Sequence, residues 1–142
     1  MDFYNHTRRL TGPSGAVNIA LLKVMLADAG YTFDPTHTNI SSVGAGEVHG
    51  SGWTEGGEPL ANATLTTTGT NEATLDADDV VVEATGGSIG PATQAVVYQD
   101  DAGNEFPLYR HDFGGAEEAG EGTDFRIDWN ENGIARWLEP AA

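Results

Sequence analysis

Short runs of β-branched and apolar residues recur about every ten residues through the second half of this chain, each closed by glycine, aspartate or asparagine. "ANATLTTTG" (61–69) alternates small apolar with polar residues, "DDVVVEA" is β-branched, and "TQAVVYQD" and "EFPLYRHDF" flank the turn residues "DAGN". In "TDFRIDWN" the alternation puts Phe125, Ile127 and Trp129 on one face and Asp124, Arg126 and Asp128 on the other. Strands this short and this regularly interrupted predict an all-β fold, an antiparallel β-sandwich or barrel-like domain.

Upstream the pattern is less regular. "AVNIALLKVML" (16–26) fits a buried helix or a central strand by periodicity, and the Gly12-Pro13-Ser14-Gly15 run before it favours strand. Residues 1–15 carry no periodicity and read as an extended N-terminal arm, with residues 16–142 as a single β domain. The Asp34-Pro35 pair marks a turn, and the Gly- and Glu-rich stretch 114–124 reads as a loop.

Charge narrows the function. Asp and Glu total 22 against six basic residues, a net charge of -16, and Lys23 is the only lysine. Such a surface repels nucleic acid, whose binding needs a cationic footprint. It suits a halophilic setting, because at molar salt the screening length falls to about 3 Å and self-repulsion fades, with an ordinary acidic soluble protein as the alternative. There is no cysteine, hence no disulfide framework and no thiol chemistry.

Arg8-Arg9 ahead of the apolar segment resembles a twin-arginine export signal, but Pro13 and Lys23 interrupt it. A mature cytosolic or virion protein is the expectation, and the segment is too short to span a membrane.

Three stretches are candidates for chemistry. "EVHGSGWTEGGEPL" (47–60) sets four glycines around Trp53, yet Glu58 and Pro59 stand where a phosphate loop needs Lys and Ser/Thr. A carboxylate repels phosphate and proline removes an amide donor, so Gly52, Gly56 and Gly57 read as turn residues with Trp53 as an anchor. "DWNENGIARWLE" (128–139) matches the calcium-loop expression, with Asp128, Asn130, Asn132 and Glu139 as metal ligands. The strand-like segment before it favours a β-hairpin instead, turned by "NENG" and pairing Trp129 with Trp137. The Asp76, Asp78, Asp79 cluster reads as a solvated turn or, alternatively, a divalent-cation site.

His6, His37, His49 and His111 show no metal spacing, and there is no G-x-S-x-G elbow. A non-enzymatic protein is expected, with no cofactor except calcium as an open alternative. Arg8 and Arg9 are candidates for docking on a partner's carboxylates.

The order of "NIALLKVMLADAGYTFDPTHTNISSV", "EVHGSGWTEGGEPL", "DADDVVVEA", "QAVVYQDDAGNEFPLYRHDFG" and "FRIDWNENGIARW" resembles a family of small virion structural proteins of tailed viruses of bacteria and archaea. The likeness rests on the A-L-L strand, the Thr-His pair, a G-x-G-[YW]-x-x-G-G loop, an Asp-rich turn, A-V-[IV]-Y and an aromatic-rich end, across roughly residues 16–138. It implies a head decoration or minor capsid protein with a β-rich fold, bound to the major capsid protein or other virion subunits. A turret, connector or tail component, and a free β-sandwich module binding glycan or calcium, are the alternatives. Decorations occupy symmetric lattice positions, so a closed homo-oligomer is expected, a trimer favoured.

Overall fold

The structure is a computed structural model, and it describes residues 2–3, 11–12, 15–16, 18–67, 72–102, 105–129 and 134–138. Its strands in chain order are β1 (Asp2–Phe3), β2 (Thr11–Gly12), β3 (Gly15–Ala16), β4 (Leu22–Ala27), β5 (Glu47–Val48), β6 (Glu58–Pro59) and β7 (Thr64–Thr67). They continue with β8 (Glu72–Asp76), β9 (Val80–Glu83), β10 (Ile89–Gln99), β11 (Pro107–Ala119), β12 (Asp124–Ile127) and β13 (Ala135–Leu138).

Every pairing is antiparallel. The main sheet runs β1-β11-β10-β4, and β5 and β6 lie end to end along the outer side of β4. A second layer is built from the β12-β9 pair and the β13-β8-β7 sheet. The layers stack as a sandwich without closing into a barrel.

The centre of the main sheet is buried on both faces. Leu22, Val24 and Leu26 of β4, with Ala95 and Val97 of β10 and Leu108 of β11, pack towards Leu75, Phe125, Ile127 and Ile134 of the second layer. The alternate residues Met25, Ala27, Val96 and Tyr98 face the other way, under Tyr31, Ile40 and Val43. Each large apolar side chain removed from water contributes about 1.5–3 kcal/mol. A strand covered on both faces needs apolar residues at consecutive positions, which is why "LKVMLA" and "QAVVYQ" lack alternation.

The covering segment is fastened by polar contacts. Gln94, buried in β10, donates through its amide to the carbonyls of Asp28 and Tyr31, both at 2.8 Å, and accepts from Arg110 at 3.3 Å. The Arg110 guanidinium also lies 5.0 Å over the Phe33 ring. At the Asp34-Pro35 turn the Asp34 carboxylate accepts from the Thr36 amide at 2.8 Å.

Three expectations are corrected. β4 begins at Leu22 rather than at residue 16, because the Asn18 side chain accepts from the Ala20 amide (3.1 Å) and starts a 3-10 turn over Ile19–Leu21. The 114–124 stretch is not all loop: β11 continues through Ala119, paired with the first half of β10 (Ala92 with Glu117, Ile89 with Ala119). Finally, β12 and β13 are not hairpin partners. β12 pairs with β9 and β13 with β8, so Trp137 stands opposite Ala73 and not opposite Trp129.

Of the N-terminal arm, Asp2 and Phe3 lie in register with Arg110 and Tyr109, adding β1 to the sheet edge. Thr11–Gly12 and Gly15–Ala16 pair with each other.

Candidate functional site

The glycine loop leaves the β4 edge after β5 and returns to it at β6. Gly50 and Trp53 exchange backbone hydrogen bonds (Gly50 N to Trp53 O 2.9 Å, Trp53 N to Gly50 O 3.1 Å) across the two-residue turn Ser51-Gly52. Both turn residues have positive φ, 56° and 108°, as a tight hairpin turn of this hand requires. Gly57, at φ 102°, lets the chain touch β4, since a Cβ there would sit 2.5 Å from the Val24 carbonyl oxygen.

Several of the loop's amides are already engaged. Glu47 Oε2 accepts from Gly56 N at 2.6 Å, Glu58 Oε1 accepts from Thr54 N at 2.7 Å, and Gly57 N donates to Thr54 O at 2.9 Å. An anion-binding nest needs free amides converging on empty space. Here the loop's own glutamates already take two of those donors. The Tyr98 hydroxyl donates to the Gly56 carbonyl and ties the loop to the main sheet.

Trp53, 2% exposed, is the inner end of a line of aromatic rings that reaches the surface. Its ring meets Phe125 edge-on (5.6 Å, 69°), Phe125 lies 6.4 Å from Phe113, and Phe113 lies 6.3 Å from His111. The outer end opens into a cleft of about 330 Å³ between β11 and β12, with Asp112, Glu117, Glu118, Asp124 and Arg126 around it. Arg126 is held by Asp128 at 3.1 Å.

Burial lowers the His111 pKa below the ordinary imidazole range, against the opposing pull of Asp112. Asp112 does not form a catalytic dyad with His111: one of its oxygens accepts from Gly114 N at 2.9 Å and the other lies 3.8 Å from Arg110. The cleft thus presents an aromatic floor within carboxylate walls, an environment that attracts cationic or hydroxyl-bearing groups.

A second cleft of about 330 Å³ lies on the other face, among Met25, Ile40, Val43, Gly44, Tyr98 and Glu105. Its tyrosine hydroxyl is the one engaged by Gly56.

The residues singled out in sequence do not gather in one place. Asp128 is exposed, and the chain reaches it from strand β12 rather than from a helix. Asn130, Asn132 and Glu139 lie outside the described residues, as do Arg8 and Arg9. Only the backbone of Trp137 is described. Trp129 is anchored by the acidic turn: its amide donates to Asp79 Oδ1 at 2.8 Å and its indole N–H to the Asp78 carbonyl at 3.1 Å. Asp78 accepts from the Asn62 side chain at 2.6 Å and Asp76 from the Ala77 amide at 2.9 Å, so the cluster braces its own turn. Among the described residues no three His, Asp or Glu side chains converge to hold a metal.

Sequence reasoning missed the aromatic cleft. Its rings come from β11 and β12, which share no ladder, and the one local trace is the i, i+2 spacing of His111 and Phe113 on one strand face. No known protein family, curated protein or solved structure matches this chain.

Proposed function

We propose that this chain is a non-enzymatic structural subunit of a virus particle, a decoration or minor capsid protein on the head of a tailed haloarchaeal virus. One observation supports it most: three of the motifs behind the family resemblance fall on architecture. The G-x-G-W-x-x-G-G loop buries Trp53 and packs Gly57 on β4. The Asp-rich turn anchors Trp129, and A-V-V-Y is the centre of β10, buried on both faces. Packing roles of this kind suit residues kept for assembly and shape. The acidic surface fits the saline setting.

The test is the copy number of the protein in purified particles, measured by quantitative mass spectrometry against the major capsid protein. Many copies, commensurate with the shell lattice, support a head decoration. A few copies move it to a turret, connector or tail. Absence from particles overturns the proposal and turns attention to the aromatic-carboxylate cleft as the site of a free glycan- or calcium-binding module.

A further inference from the structure

Strand β7 ends the β13-β8-β7 sheet, and among the described residues no strand pairs with its outer side. Its ladder to β8 is regular, from Thr64 opposite Asp76 to Thr67 opposite Ala73, without a bulge. Among the described residues, then, the outer row of backbone donors and acceptors has no ladder partner.

Soluble proteins block such edges with charge, proline or a bulge. Most of the other edges follow that rule, and β2 and β3, without charge or proline, are only two residues long. β5 has Glu47, β6 has Glu58 and Pro59, β9 has Glu83, and β12 has Asp124 and Arg126. β7, "TLTT", has none of these, although the chain carries a net charge of -16. Thr64, Leu65 and Thr66 are all exposed, and Leu65 at 38% is one of few large apolar side chains left in water.

We propose that β7 is a self-association edge: two copies pair β7 with β7, antiparallel about a twofold axis, joining their three-stranded sheets into one. Charge selects the occupant. Two copies of so acidic a protein repel wherever their carboxylates face each other, and an uncharged strand is where backbones can approach to the ladder spacing of about 4.8 Å. Antiparallel pairing about a twofold is also self-complementary, so Thr and Leu side chains meet Thr and Leu side chains of the partner. The geometry gives a dimer in place of the trimer that a lattice argument favours. Repulsion between the bodies remains, so association tightens as salt shortens the screening length from about 8 Å at 0.15 M to about 3 Å at 1 M. This edge does not depend on the virion reading.

Sedimentation equilibrium of the full chain at low and high potassium chloride tests it, with Leu65→Glu placing a carboxylate at the pairing edge and Val81→Glu doing so on exposed β9. The expected result is a dimer that tightens at least about tenfold between 0.15 M and 1 M salt. Leu65→Glu loses the dimer, with its circular dichroism unchanged, and Val81→Glu keeps it. A monomer at high salt, a trimer, or a dimer indifferent to Leu65→Glu overturns the proposal.

Discussion

The hydroxyl of Tyr98, from the centre of β10, donates its hydrogen to the carbonyl oxygen of Gly56 in the glycine loop. That bond joins the middle of the main sheet to a turn at its edge and leaves Tyr98 among acidic neighbours. Burial, then the charges of Asp100, Glu47 and Glu105, push its pKa well above the usual phenol range. Burial pushes Tyr109 the same way.

A phenol whose folded pKa is raised stabilises the fold fully below its unfolded value of about 10, and that contribution is lost as pH climbs beyond it. Stability is therefore expected to fall steeply above about pH 10, with the phenolate absorbance of Tyr98 and Tyr109 rising only as the chain unfolds. Tyr98→Phe should lower stability by about 1–2 kcal/mol at neutral pH and make the alkaline loss shallower. Denaturant titrations across pH check both; an unchanged alkaline slope would show that Tyr98 ionises freely in the folded state.

Gly57 and Gly50 share nearly the same backbone, φ 102° and 104°, but not the same surroundings. A Cβ at Gly57 meets the Val24 carbonyl oxygen at 2.5 Å, whereas one at Gly50 meets nothing within 4 Å. Gly50→Ala should cost about 1 kcal/mol, the conformational cost alone, and Gly57→Ala more than about 3 kcal/mol because the loop must lift from β4. Thermal denaturation of the two variants separates backbone strain from steric exclusion; equal losses would mean that the loop yields without resistance.

Much of this fold is written locally, and what is not has an identifiable cause. The turn residues after Gln99 and the alternation of Phe125 and Ile127 read directly, because one face of β12 is exposed and the other buried. β4 and the centre of β10 are covered on both faces, which removes the alternation that would distinguish strand from helix. Gly114 to Glu118 have poor strand propensity and are recruited by the long-range partner β10, which no local pattern encodes. "NENG" has turn chemistry, but the choice of β9 and β8 as the ladder partners of β12 and β13 is tertiary. The cleft at His111 is hidden for the same reason, since its second wall comes from β12.

Trp53 is fully enclosed, and among the described residues its indole N–H has no hydrogen-bond partner. Its contribution is therefore packing, offset by a polar group taken out of water at about 1–3 kcal/mol. Trp53→Ala should cost about 3–5 kcal/mol through the cavity left against Phe125. Trp53→Phe keeps an apolar ring and removes the unpaired N–H, so it should lose less than half as much. Chemical denaturation of both variants measures the ratio, and comparable losses would point to a partner for the indole nitrogen.

His111 has its pKa lowered by burial, so the folded state prefers the neutral ring. Stability from this group is present above the unfolded value of about 6.5 and is lost as pH falls through the lower, folded pKa. Of the histidine resonances followed by NMR, that of His111 should titrate with a midpoint below about 6.5. His111→Asn should flatten the acid side of the stability profile. A midpoint at or above the ordinary value would mean that the cleft carboxylates outweigh burial.

The surface charge makes the final prediction. With 22 acidic residues against six basic ones, cations are too few to neutralise the surface. Among the described residues, Lys23 meets Asp100 at 2.6 Å and Arg126 meets Asp128 at 3.1 Å, both partly exposed and each worth no more than about 1 kcal/mol. Self-repulsion therefore dominates, and it falls as the screening length shortens. The melting temperature should rise by at least about 4 °C between 0.1 M and 1 M potassium chloride, the response of a chain this size to roughly 1–2 kcal/mol. Calorimetry at protein concentrations too low for β7 pairing isolates this effect from association. A melting temperature independent of salt would mean that the carboxylates are spaced widely enough not to repel, and would remove the physical case for a saline habitat.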